Sequence, residues 1–211
     1  MDSNLIWQKR IRNYAGLLGA ILPWLSLIGA YIVNAFTPLG SHFWNDLSIS
    51  ATYYITPALV GILTTASIVL MCYDGYEKID NVVTTLSGVF GIMIVLFPCN
   101  CSLTPEHTGF FQLPARISSL IHCSSAVIFF CLLAYNSLFL FTKSHGDKTK
   151  KKKQRNIVYT VCGIGMLCAM ILMPLPIYFT AKTWWVEMIS LTFFGVSWLT
   201  KGGAFKFLND E

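Results

Sequence analysis

Charge is what this sequence has least of. Only 12% of its 211 residues are charged, about half the share of an ordinary soluble domain. Apart from His42, nothing between Arg12 and Asp46 carries a charge at neutral pH. Equally bare stretches run from Leu47 to Tyr73, Asn81 to Pro105, Ile117 to Thr142 and Asn156 to Ala181. Soluble catalytic signatures are missing too: there is no GxSxG elbow, no P-loop, no Rossmann glycine pattern and no paired-cysteine zinc ribbon. These absences exclude a disordered chain, a coiled coil and a conventional soluble enzyme.

What remains is apolar, at 55% hydrophobic residues. Each bare stretch exceeds the roughly 20 residues with which an α-helix crosses the hydrocarbon of a bilayer. Runs of that length in lipid must be helical, because their backbone groups find partners only within the segment. The expected fold is all-α: a single integral membrane domain, a six-transmembrane-helix bundle. Its spans are placed at 14–35, 51–73, 82–98, 117–141, 157–178 and 184–200. Pro23 should kink the first, Pro57 should fall in the first turns of the second, and Pro174 and Pro176 should end or distort the fifth. Asp80, just before the third span, reads as its N-cap.

Orientation follows from the basic residues. With the N-terminus cytoplasmic, thirteen of the fifteen Lys and Arg fall inside, and only Arg116 and Lys182 fall outside. Both termini are therefore expected in the cytoplasm. The lysine run KSHGDKTKKKKQR reads as the topological anchor of the fourth loop. The partner implied is membrane lipid, and nothing beyond that run suggests nucleic acid.

Ionisable residues inside a membrane are costly and are functional candidates by default. Asp46, Ser50 and Tyr54 are spaced i, i+4, i+8, and line one face if the second helix begins near Asp46. His122 lies about 8 Å into the fourth span at 1.5 Å per residue. Glu187 sits about one turn into the sixth, at the same depth and on the same side. A polar cluster of Asp46, Ser50, Tyr54, His122 and Glu187 in the outer leaflet is the candidate site. Three uses compete for it: a metal site, for which zinc suits such donors although no paired-ligand spacing occurs; a proton or substrate path through His122 and Glu187; and an interhelical hydrogen-bond network. Of the seven cysteines only Cys99 and Cys101 face the outer side, and a bridge two residues apart would be strained. Gly16, Gly19, Gly88, Gly91, Gly163 and Gly165 are expected to admit close helix contacts.

The segments DLSISATYY, CYDGYEKIDN, GVFGIMIVLFP, HCSSAVIFF and FFGVSWLTKGG resemble, in the same order, a group of small, functionally unassigned bacterial six-helix inner-membrane proteins. That resemblance implies a multi-pass protein of the bacterial cytoplasmic membrane and no particular activity. A fainter similarity is to the alkaline ceramidase-like membrane hydrolases, which combine Ser, Asp and three His around zinc within seven helices. It implies such roles for Ser50, Asp46 and His122, but the paired late histidines are missing and Glu187 would have to replace a ligand. The leading expectation is a ligand-, proton- or lipid-handling membrane component without a resident cofactor. The alternatives are a metal-dependent intramembrane hydrolase of a lipid amide or ester, and a homo-oligomeric pore lined by Ser118, Ser119, Ser124 and Ser125. Six short helices are expected to leave little room for a private central cavity.

Overall fold

A computed structural model describes residues 3–144, 149–173 and 183–210. Seven α-helices account for most of them: α1 (Ser3–Phe36), α2 (Ser41–Asp46), α3 (Ala58–Met71), α4 (Lys78–Leu96), α5 (Ala115–Tyr135), α6 (Lys150–Leu172) and α7 (Trp184–Gly202). A two-stranded ribbon, β1 (His107–Thr108) with β2 (Leu113–Pro114), fills the connection between α4 and α5. Stretches within α1, α4, α5 and α6 are long and apolar enough to cross a membrane, while α3 is apolar but shorter.

The six longer helices pack as a closed ring in chain order. α1 lies against α3, α3 against α4, α4 against α5, α5 against α6, and α6 against α7, which returns to α1 through the most extensive contact of all. The ring has an apolar interior, yet many of its large apolar side chains also face outward. On α5, Leu120 is 68% exposed while Ser118, His122 and Ser125 are buried. Ile157 and Ile171 of α6 likewise face outward at 64% and 69%. Bare apolar surface of this extent marks contact with a nonaqueous partner.

Close approach depends on missing side chains. A β-carbon on Gly195 would lie 2.8 Å from the carbonyl oxygen of Gly16, and one on Gly16 would lie 2.9 Å from that of Gly195. The α1–α7 seam is thus backbone against backbone, the small-residue contact by which membrane helices pack without a hydrophobic drive. Gly88 and Gly91 play the same part toward Ser67, on the seam of α3 and α4.

Several boundaries differ from expectation for physical reasons. The second helix begins at Ala58, with Pro57 as its N-cap, because proline disfavours helical backbone in the residue before it. Upstream, Ser50–Tyr54 form a separate 3-10 turn. Asp46, Ser50 and Tyr54 therefore do not share a helix face. Pro23 lies inside α1, the mid-span position expected of it. Helix α4 is capped by Glu77, not Asp80; the Asp80 carboxylate reaches back from the first turn to accept the N–H groups of Tyr76 and Glu77 at 2.9 and 3.1 Å. Past Tyr135, α5 widens into a π-helical turn, Asn136–Leu140. Helix α6 starts within the lysine run, where Thr149 accepts the Lys152 N–H at 3.0 Å. Pro174 and Pro176 lie outside the described residues.

Candidate functional site

The segment between α2 and the 3-10 turn is held against the start of α7. Leu47 takes a left-handed backbone, φ 34°, and its carbonyl accepts the Trp184 N–H at 2.8 Å. This presents the next three residues to Glu187. One carboxylate oxygen accepts the Ile49 N–H at 2.6 Å, and the other accepts the hydroxyls of Ser48 at 3.0 Å and Ser50 at 3.1 Å. The Ser50 N–H donates in turn to the Ser48 hydroxyl at 3.1 Å.

From the far side comes His122, which is only 3% exposed. Its Nδ1 lies 2.8 Å from the Phe97 carbonyl and 3.1 Å from that of Ile94, exposed by the ending of α4. Carbonyl oxygens only accept, so Nδ1 carries a hydrogen. Nε2 lies 3.0 Å from the Ser50 hydroxyl. The result is a continuous chain, His122–Ser50–Glu187.

If both contacts of Ser50 form, two arrangements are possible. When Ser50 donates to Glu187, Nε2 donates to Ser50, which makes His122 an imidazolium beside a carboxylate. When Ser50 donates to Nε2, Glu187 is protonated and donates to Ser50, and the proton count is the same. In a third arrangement a neutral His122 accepts from Ser50 while an ionised Glu187 is held by Ser48 and the Ile49 N–H.

Beside the chain lies a cavity of about 560 Å³. Ser50, His122 and Glu187 reach it, with Asp46 and Cys123 among the other polar contributors and Val127, Met170 and Met173 as apolar wall. This is larger than the packing expectation from six short helices, and it falls in the size range of small-ligand sites.

The five candidate residues therefore divide. Ser50, His122 and Glu187 converge in one hydrogen-bonded chain. Asp46 instead stands at the cavity wall, where its carboxylate accepts the Ser102 hydroxyl at 2.6 Å and the Ser102 N–H at 3.2 Å. Tyr54 is turned away, its hydroxyl 2.5 Å from that of Thr108 in β1. The residues that sequence reasoning missed are Ser48 and the Ile49 N–H. The first stood within the quoted DLSIS segment without a periodicity to single it out, and the second is backbone, with no sequence signal at all. Because the Asp46 contacts are exposed, Asp46→Ala is expected to cost about 1 kcal/mol or less. Thermal melting of the detergent-solubilised protein checks this; a larger loss would place Asp46 inside the buried network.

Among the described residues no group of three or more His, Cys, Asp and Glu is arranged to hold a metal ion. Both ring nitrogens of His122 already have partners. All seven cysteines are free. The Cys99 thiol, in the loop after α4, is raised above its ordinary range by hydrogen bonding with Cys123 and by burial. The four serines proposed to line a pore do not share a face: Ser118 and Ser125 are buried, with Ser118 donating to the Pro98 carbonyl at 2.8 Å, whereas Ser124 is exposed.

No protein-family model, curated protein or solved structure matches this chain. Fold and site by themselves define an all-α protein with four helices long and apolar enough to cross a membrane, consistent with a membrane location. Inside it lies a buried histidine–serine–glutamate chain beside a ligand-sized cavity.

Proposed function

We propose that this is a six-helix protein of the bacterial cytoplasmic membrane that handles a small ligand or lipid headgroup in its outer-side cavity, coupled to proton exchange in the His122–Ser50–Glu187 chain. The observation that carries this reading is the continuous His122–Ser50–Glu187 contact, able to hold a proton at either end, against the wall of a 560 Å³ cavity. A group entering the cavity and favouring the ion pair or the neutral form draws the proton one way or the other.

The six-span topology rests on the closed ring. α3 and α7 occupy ring positions equivalent to those of the four longer apolar helices. Support for cytoplasmic termini comes from Lys9, Arg12, Lys143, Lys152, Arg155 and Lys201 gathering around one cavity, the clustering of basic residues that the positive-inside rule expects on the cytoplasmic side.

The test is proton movement in proteoliposomes loaded with a pH-sensitive dye and subjected to a pH step. Wild-type protein is expected to dissipate the gradient faster than protein-free liposomes. Ser50→Ala is expected to return the rate to background, while Glu187 keeps its contacts with Ser48 and Ile49. Equal rates for wild type and empty liposomes would sink the reading.

A second reading, hydrolysis of a lipid amide or ester, is favoured by one contact: the Ser50 hydroxyl lies 3.0 Å from Nε2 of a histidine oriented through its other nitrogen. That is the geometry of a nucleophile with its base. A fluorophosphonate probe would label wild type and not Ser50→Ala if Ser50 is activated in this way.

A further inference from the structure

The opposite end of the ring holds a second cavity, of about 650 Å³, which the His122 chain does not use. Its walls come from both chain ends, the loop before α4, the end of α5, the first turns of α6 and the last turn of α7. Six cationic side chains reach it, Lys9, Arg12, Lys143, Lys152, Arg155 and Lys201, against three carboxylates, Glu77, Asp80 and Asp210.

Two of the carboxylates pair with cations of the same wall: Glu77 with Lys143 at 2.8 Å and Asp210 with Arg155 at 2.7 Å. Asp80 accepts backbone N–H groups through one carboxylate oxygen, and its other oxygen is buried without a hydrogen-bond partner, in a pocket that Lys201 also lines. Arg12 and Lys201 form no salt bridge among the described residues. Arg12 is only 7% exposed, and its Nε is buried without a hydrogen-bond partner. Its guanidinium stands over the rings of Tyr73 and Tyr76, 5.3 and 5.6 Å from their centroids. The Lys201 ammonium stands over Tyr76 and Phe141 at 5.4 and 5.2 Å. Aromatic faces attract a cation but supply no full charge. Two cations sharing one ring, with Asp80 as the one carboxylate near them among the described residues, leave this part of the wall in excess of positive charge, and an anion offsets it.

The C-terminal tail already shows what kind of anion the cavity accepts. The Asp210 carboxylate takes the Thr149 hydroxyl and the Arg155 guanidinium, each at 2.7 Å, while Arg155 also donates to the Leu208 carbonyl at 2.6 Å. Hydrogen bonds from Thr149 and Arg155 hold the Asp210 carboxyl below its ordinary range, so it is ionised at neutral pH. The tail thus lays one oxyanion on one edge of the basic wall and leaves Arg12 and Lys201 without one.

We propose that this cavity is a binding site for a phosphate group, with Arg12 and Lys201 as its principal charges and Asp210 as a built-in competitor at Arg155. Phosphate offers the charge and the several acceptor oxygens that a guanidinium and an ammonium jointly prefer. The group reaches this end of the bundle either on an anionic lipid headgroup or as a soluble phosphate compound.

Thermal unfolding of the detergent-purified full-length protein, titrated at constant ionic strength with inorganic pyrophosphate or with short-chain phosphatidic acid, tests the site. At least one ligand is expected to raise the melting temperature saturably, whereas the matching diacylglycerol leaves it unchanged. Response to pyrophosphate alone identifies a soluble phosphate ligand, response to phosphatidic acid alone a lipid headgroup, and response to both the phosphate itself. Lys201→Met is expected to weaken the response about ten-fold, the loss of one charge-assisted contact. Asp210→Asn is expected to strengthen it several-fold, an increase that a merely structural tail would not produce. The proposal is overturned if neither ligand stabilises the wild type, or if Lys201→Met and Asp210→Asn both titrate like it.

Discussion

Replacing Glu187 by alanine should lower the melting temperature of the protein by roughly 6–12 °C. Two donors lose their acceptor at once, the Ile49 N–H and the Ser48 hydroxyl, while Ser50 can still donate to His122. A hydrogen bond to a charged acceptor is worth about 1.5–3 kcal/mol, so the loss sums to about 3 kcal/mol or more. The segment Leu47–Ser50 is then tied to α7 through its backbone bond to Trp184, and the strained backbone of Leu47 loses part of what holds it. Glu187→Gln should fall between alanine and wild type, because its amide retains one acceptor oxygen and gains a donor where donors already converge. Melting curves of the two variants beside wild type decide the matter. If both melt with wild type, the carboxylate is not the anchor of this segment, and the buried chain cannot be the ordered element described above.

A second large effect is expected about two turns further along α7. Gly195→Leu forces a side chain into a space where even a β-carbon meets the Gly16 carbonyl at 2.8 Å. Backbone yields less readily than the tip of a flexible side chain, so α1 and α7 must separate. Overpacking of this kind costs about 3 kcal/mol or more, and it falls on the most extensive contact in the ring. Gly61→Leu is the control. Nothing lies within 4 Å of a β-carbon on Gly61, and the same substitution there should leave the melting temperature within error. Similar losses at both positions would mean that the penalty belongs to leucine in a helix of this protein rather than to the seam.

The two ends of the bundle differ in the chemistry they hold. At one end His122, Ser50 and Glu187, from different parts of the chain, are joined by hydrogen bonds beside a cavity with mixed polar and methionine walls. At the other, cations outnumber carboxylates around a cavity crossed by the C-terminal tail. The aromatic residues Tyr73, Phe141, Tyr159, Phe194 and Trp198 pack edge to face or tilted beneath the basic end. Trp198 and Tyr159 are among the largest fully buried side chains. Such a layer is rigid and apolar, and it gives the charges above it a low-dielectric floor.

Composition by itself determined the class. Long stretches without charge leave a backbone no partner but itself in lipid, and helix is the answer whatever the neighbours are. Position along the chain also groups Lys9, Arg12, Lys143, Lys152, Arg155 and Lys201, and the structure gathers these six around one cavity. Depth was legible for His122 and Glu187, because 1.5 Å per residue converts sequence distance into height along a helix. Helical spacing failed for Asp46 and Tyr54. It presumes a helix, and Pro57 breaks the backbone upstream of Ala58, sending Asp46 to Ser102 and Tyr54 to Thr108. Facing and pairing were decided only in three dimensions. The partners of Glu187 lie 137 to 139 residues away, one of them a backbone N–H that every residue but proline possesses. Long-range contacts of that kind depend on how the ring closes, and ring closure depends on where two glycines let α1 and α7 touch.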